Sequence, residues 1–299
     1  MDTLDRSTSA SAAAGRLWTD RYWQTSDGLR LHFRDYPGDA NRPPVIALHG
    51  LTRNARDAGE LAHRLMGEWR VLAPEMRGRG LSAYAPDSAT YNPLQYVADL
   101  QALLAHEGID RFVAVGTSLG GLMTMLLALE APERIAGAVL VDVGPTIDEA
   151  GIAAIRDYVG QGGSFPTWMH AARALQEVHD GAHPDFALND WLSMAKRVMV
   201  LGANGRVAYD YDMGIAEPFN AAAAPPAADL WPGFEALAGR PLLLLRGDTS
   251  AILARATADE MKRRVPALEV VTVPRTGHAP TLAEPESRAA IDRLLAQIA

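Results

Sequence analysis

The chain contains no cysteine in its 299 residues. Disulfides, cysteine-ligated zinc and a thiol nucleophile are therefore excluded, and the absence fits a reducing compartment. No long run of lysine and arginine stands out either. With 28 basic and 36 acidic residues the formal charge is −8, which argues against nucleic acid as a partner. The opening segment MDTLDRSTSASAAAGR carries Asp2 and Asp5 and lacks a continuous apolar core. It suits neither a signal peptide nor a membrane span. The expectation is a cytoplasmic protein with no membrane partner and a flexible N-terminal tail over residues 1–17. No internal repeat emerges. Apolar side chains are plentiful: 48% of residues are hydrophobic, enough for a sizeable core in one large domain or one domain with an insertion.

The apolar residues are grouped. RYWQTSDGLRLHFRDY reads as two short strands around a turn at Asp27-Gly28. Continuous apolar runs of buried-strand length follow at 45–50 (VIALHG), 70–76, 112–116 (FVAVG), 136–144, 240–247 and 268–274. Strands apolar on both faces belong in a parallel sheet covered by helices. Segments with helical spacing at 58–67, 94–107, 119–130, 254–265 and 285–298 lie between them, so the class is α/β. The alternation breaks between about Thr146 and Phe234. That stretch holds helical pieces, Trp168, Trp191 and Trp231, and an alanine/proline tract at 221–229 with the composition of a loose connection. The expected division is a core of 18–145 and 236–299, with a mostly helical insertion of 146–235.

One stretch, AVGTSLGGLM at 114–123, places Ser118 between Gly116 and Gly120, with Gly121 adjacent. A strand precedes it and a helix follows. A serine on that junction sits at the C-terminal edge of the sheet and at a helix N-terminus, and glycines tolerate the tight turn. The Leu119 N–H then faces any oxyanion formed on a substrate bonded to Ser118. A serine hydroxyl needs a base to become nucleophilic. His278, in VPRTGHAPTLAEPE, follows the last strand in a loop with Gly277 and Pro280, at the same sheet edge. The other histidines compete less well. His32 lies in an N-terminal strand, His63 and His106 on solvated helices, and His170, His179 and His183 in the insertion. His49 is better placed to shape its turn. A second oxyanion donor is required, and the Leu51 N–H in the turn HGLTR is positioned for it.

HGLTRNARD, PEMRGRGLS, GTSLGG and GHAPTLAEP, in that order and spacing, resemble the α/β-hydrolase superfamily. The resemblance runs from residue 21 to the C-terminus. It is nearest to the lidded branch of small esterases, lactonases, C–C bond hydrolases and perhydrolase-type haloperoxidases. It implies the α/β-hydrolase fold, a mostly parallel central sheet flanked by helices, with the insertion as a helical cap over the active site. It also implies a catalytic triad, no metal or organic cofactor, and a small-molecule ester-like substrate.

The triad order in this fold is Ser, acid, His, and at the acid the chain departs from the family habit. The usual acid lies three or four residues beyond the glycine of RGDTSAIL, where this chain has Ser250 and Ala251. Asp248 follows Gly247 directly and reads as a turn residue. Asp142, ending the strand in VLVDVGP, keeps the order, and some esterases of the superfamily carry their acid there. Three alternatives stay open: Asp142, Asp248, or a missing acid with Ala251 in its place. Arg53 and Asn54 follow the oxyanion turn as candidate substrate contacts. Trp168, Met169, Trp191, Met194 and Met199 are candidates from the insertion, and Arg77 and Arg79 read as structural.

The function expected is a serine hydrolase cleaving a small carboxylic ester or lactone through an acyl-enzyme. The alternatives are a C–C bond hydrolase of ring-cleavage dienoates, a perhydrolase-type haloperoxidase, and a non-catalytic ligand-binding relative with an incomplete triad. Serine in place of aspartate argues against haloalkane dehalogenase and epoxide hydrolase. A homodimer is left open.

Overall fold

A computed structural model describes residues 17–147, 149–220 and 229–298. The expected tail, except Leu17, and the alanine/proline tract, except Asp229, lie outside the described residues. β1 (Thr19–Gln24) and β2 (Arg30–Tyr36) form an antiparallel hairpin. The chain continues through β3 (Val45–Leu48), α1 (Gly59–Leu65), β4 (Val71–Glu75), α2 (Pro93–His106), β5 (Phe112–Thr117), α3 (Leu119–Glu130) and β6 (Ile135–Val141). After a long excursion come β10 (Leu242–Gly247), α9 (Arg255–Arg264), β11 (Glu269–Val273) and α10 (Pro285–Leu295). The eight strands form one sheet in the order β1-β2-β4-β3-β5-β6-β10-β11. From β4 to β11 every pairing is parallel, and β2 meets β4 antiparallel.

The apolar runs explain the layering. Every residue of β3, β4, β6 and β10 is buried, because alternate side chains enter two different cores. Ile46 and Leu48 of β3 join one core with Leu100 and Leu103 of α2, Leu127 of α3 and Met261 of α9. Val45 and Ala47 join the other with Leu61 of α1 and Ile291 and Leu294 of α10. Local signals set the helix starts. Pro93 opens α2, and the Asn92 side chain accepts the Gln95 N–H at 2.9 Å.

The excursion between β6 and β10 contains α4 (Glu149–Tyr158), β7 (Ser164–Phe165), α5 (Trp168–His179), α6 (Leu188–Val198), β8 (Met199–Leu201), β9 (Val207–Tyr209), α7 (Glu217–Asn220) and α8 (Trp231–Glu235). It carries a three-stranded antiparallel sheet, β7-β9-β8, that the sequence reading did not anticipate. Asn204-Gly205, with Gly205 at φ 73°, turns the chain between β8 and β9. α5, α6 and β9 build a core of their own from Ala171, Leu175, Trp191, Met194, Val198 and Val207. α8 instead joins the main core through Phe234 and packs on α3 so closely that a Cβ on Gly233 would lie 2.3 Å from the Met125 carbonyl oxygen.

Two contacts tie the excursion to the parts of the core that matter below. Arg56 donates to the carbonyls of Arg197 (2.8 Å) and Met199 (3.2 Å) and pairs with Asp210 at 2.8 Å. In the loop after β11, the Gly277 N–H donates to the Ala182 carbonyl at 2.7 Å. Among the described residues no helix is long and apolar enough to cross a membrane.

Candidate active site

Ser118 stands at the junction of β5 and α3 with φ 51° and ψ −111°. A non-glycine residue in that region costs about 1–3 kcal/mol, and the surroundings must over-determine it. They do. The Ser118 N–H donates to Val141 at 3.0 Å, and its carbonyl accepts from Gly121 (2.9 Å) and Leu122 (3.2 Å). The flanking glycines are required by close approach. A Cβ on Gly116 would lie 2.5 Å from the Gly120 carbonyl, and one on Gly120 would lie 2.3 Å from the Leu48 carbonyl oxygen. The turn is tight because three stretches of backbone touch, and it aims Ser118 outward.

His278 Nε2 lies 2.9 Å from Ser118 Oγ, and His278 Nδ1 lies 2.8 Å from Asp142 Oδ2. An ionised carboxylate only accepts, so Nδ1 carries the proton and Nε2 accepts from the serine hydroxyl. Asp142 is fully buried just past the end of β6. Its Oδ1 accepts the Gly247 N–H at 2.8 Å and its Oδ2 accepts the Ser250 hydroxyl at 2.5 Å. The Ile252 and Leu253 N–H groups donate to Ser250 Oγ, which leaves its proton for Asp142. Ser250 thus occupies one of the two positions where the family habit puts an acid, and there it supports a carboxylate from the neighbouring strand. Nothing in the sequence signalled this role. Asp248 is exposed, with its N–H bonded to Val273, and Ala251 is exposed at the edge of the cavity. Neither supplies a carboxylate to His278.

The turn carrying Leu51 is held by two buried side chains, Arg79 and His49. Fully buried Arg79 donates Nε to the Leu51 carbonyl at 2.9 Å and Nη1 to the Arg77 carbonyl at 2.7 Å. Arg77, also buried, is paired with Asp99 and Asp27, so both arginines are structural. His49 Nδ1 donates to the Gly50 carbonyl at 2.7 Å, and its Nε2 accepts the Met76 N–H at 3.1 Å. Burial above all, and then the Arg79 charge, push His49 down to about 4, which keeps it neutral, and its two backbone partners fix the tautomer. The N–H groups of Leu51 and Leu119 donate to no protein acceptor among the described residues.

A cavity of about 710 Å³ opens over Ser118 and His278. The core contributes Leu51 and Arg53, and the excursion contributes Ile155, Met194, Val198 and Tyr209. Of the expected substrate contacts, Arg53 and Met194 line it. Asn54 does not. It is buried and its side chain accepts the Arg56 N–H, capping the turn Ala55–Ala58. Trp168 and Trp191 do not line it either. Trp168 packs against the excursion's own core, and Trp191 is buried there, edge-on to Phe186 with ring centres 5.1 Å apart. Large aromatics bring much apolar area to a small helical unit, so they turn inward. Met199 belongs to the same core, and Met169 is exposed. The sequence reading missed His179, His183, Tyr209 and Arg197, which reach the cavity. His179 and His183 are pushed down to about 4, first by burial and then by the Arg53 charge. Their spacing of four residues at a helix end was a signal that they share a face.

A mostly parallel sheet with helices on both faces, bearing a serine on a strand-to-helix turn beside a histidine and a buried aspartate, defines an α/β hydrolase. The profile of the alpha/beta hydrolase fold family matches residues 43–285, and the chain belongs to that family. Among solved structures it is similar to an alpha/beta hydrolase from Novosphingobium aromaticivorans, with 64% identity, a TM-score of 0.91, and 94% of this chain and 99% of that chain covered. It is also similar to the 3-hydroxybutyrate-oligomer hydrolase of Cupriavidus necator, 34% identical over 265 residues, covering 86% of this chain and 89% of the relative. The sn-1-specific diacylglycerol lipase ABHD11 of Mus musculus is 28% identical over 84% of this chain and 80% of its own.

Proposed function

We propose that the protein is a serine hydrolase that cleaves a small carboxylic ester or lactone through an acyl-enzyme. The observation that carries this reading is the continuous hydrogen-bond chain Asp142–His278–Ser118 opening into a cavity beside two undonated backbone amides. His278 Nε2 takes the hydroxyl proton as Ser118 Oγ bonds to the carbonyl carbon. Asp142 stabilises the imidazolium, and the Leu51 and Leu119 N–H groups hold the oxyanion. As the intermediate collapses, the ester C–O bond breaks and His278 returns the proton to the leaving alkoxide. Water then attacks the acyl carbon, gives its proton to His278, and Ser118 departs with that proton. The excursion acts as the cap that shapes the substrate space. Relatives named for hydrolysing a 3-hydroxybutyrate oligomer and a diacylglycerol support an ester as the bond broken.

The test is hydrolysis of p-nitrophenyl butyrate together with labelling by a fluorophosphonate. Ser118→Ala is expected to lose about 10⁴-fold or more in turnover, to lose labelling, and to keep its fold. Undiminished turnover in the purified variant would falsify the mechanism.

A further inference from the structure

Beside the nucleophile lies a charged group that the hydrolytic steps leave unused. The Arg53 stem and Ser118 both flank Gly50: Arg53 Cγ and Ser118 Cβ lie 3.5 and 3.8 Å from the point that a Cβ on Gly50 would occupy. Its guanidinium lines the cavity and donates no hydrogen bond to the protein among the described residues. It only faces Asp57, at 3.7 Å. Arg197 of α6 lines the same cavity and stands 3.7 Å from the same Asp57 oxygen. Both separations exceed hydrogen-bond length. One carboxylate stands between these two guanidinium groups; Asp157 and Glu177 also line the cavity, but among the described residues neither forms an ion pair with Arg53 or Arg197. Arg56, nearby in sequence, behaves differently, with donors on two carbonyls and on Asp210. Arg70 and Arg77 each fork onto carboxylates. The Arg53 charge is also felt across the cavity, where it adds to the burial that keeps His179 and His183 neutral.

We propose that Arg53 and Arg197 form a carboxylate-binding subsite, and that the preferred substrates are esters carrying a free carboxylate a few bonds from the scissile carbonyl. This rests on the hydrolase reading. The planar fork of a guanidinium matches the two oxygens of a carboxylate. A substrate carboxylate would replace two long contacts with direct, charge-assisted hydrogen bonds. The Arg53 stem sets the distance between that carboxylate and the reacting carbon.

The experiment compares kcat/KM for the mono-4-nitrophenyl ester of glutarate with that for its methyl-capped diester, each corrected for its own enzyme-free rate in the same buffer, which for the monoester includes attack by its own carboxylate. The wild-type protein is expected to favour the anionic ester by about 10-fold or more, and added salt to shrink that preference. Arg53→Gln is expected to lower the anionic-to-neutral ratio about 10- to 100-fold, mainly through KM. Arg197→Gln lowers it less, and Arg53→Lys restores part of it. A wild-type preference for the neutral ester, or a ratio that neither arginine substitution changes, overturns the proposal. If neither ester is turned over, the hydrolase reading fails, and the subsite is judged by calorimetric binding of monomethyl glutarate to the Ser118→Ala protein. Binding that Arg53→Gln abolishes supports the subsite, and no binding overturns it.

Discussion

Asp142 and Ser250 share one hydrogen bond of 2.5 Å, and through it the unusual arrangement of the acid becomes intelligible. Motif and order were enough to find Ser118 and His278 in the sequence, because glycine spacing and the loop after the last strand are local features. The acid was not decidable there, since Asp142 and Asp248 both satisfied the order, a missing acid at Ala251 stayed open, and only the fold distinguishes the distances. Asp142 ends a buried strand beside β5 and reaches His278, whereas Asp248 turns to solvent. On the proposed mechanism Asp142→Asn keeps the shape but removes the charge opposite the imidazolium. Steady-state kinetics should show kcat falling about 10³- to 10⁴-fold. Ser250→Ala leaves Asp142 with one donor fewer and should lower kcat about 10-fold while shifting the pH profile. Asp248→Asn should leave kcat within about 2-fold, as expected of an exposed turn residue.

The strands and helices of the core were legible from their apolar periods. The small sheet was not, because β7 to β9 are two or three residues long and so short a run carries no period. The tryptophans misled for a related reason: composition marks a residue as large and apolar without saying which of two cores it fills. Arg56 was invisible as an anchor, since its acceptors are carbonyls about 140 residues away. Arg56→Met keeps the stem and removes those donors. The expected cost is about 1–3 kcal/mol, and hydrogen exchange should quicken in α6, β8 and β9 while the central strands stay protected. Uniform quickening over the whole sheet would show that the excursion and the core open as one unit.

For the whole molecule, the buried histidines set how stability depends on pH. His49, His179 and His183 each sit at about 4 in the folded protein, against about 6.5 in an unfolded chain. Between those values the unfolded state binds more protons, so stability is lost as pH falls from 6.5 to 4, by at most about 1.4 kcal/mol per pH unit for each group. His32 has the opposite sign. Burial opposes its charge, but its hydrogen bonds to the Asp20 and Glu75 carboxylates prevail and raise it. Its contribution is full below 6.5 and is lost as pH rises through the raised value. Urea midpoints measured from pH 4 to 9 should therefore fall steeply on the acid side. His183→Leu should make the acid slope shallower, and His32→Gln should remove the alkaline component.

The hydrogen bond from Gly277 to Ala182 joins the excursion to the residue just before His278. On the proposed mechanism, an excursion that lifted away from Ser118 to admit substrate would take the acceptor from that peptide, so admission and readiness of the base are expected at different moments. The order expected on that mechanism is entry first, shutting second, proton transfer last. Water entering with the roof raised would then meet a base that has lost part of its support. A methyl group at position 277 would lie 2.8 Å from Ala182 and hold the two apart. In Gly277→Ala, pre-steady-state measurements should show about a 10-fold slower acylation burst with substrate binding little changed.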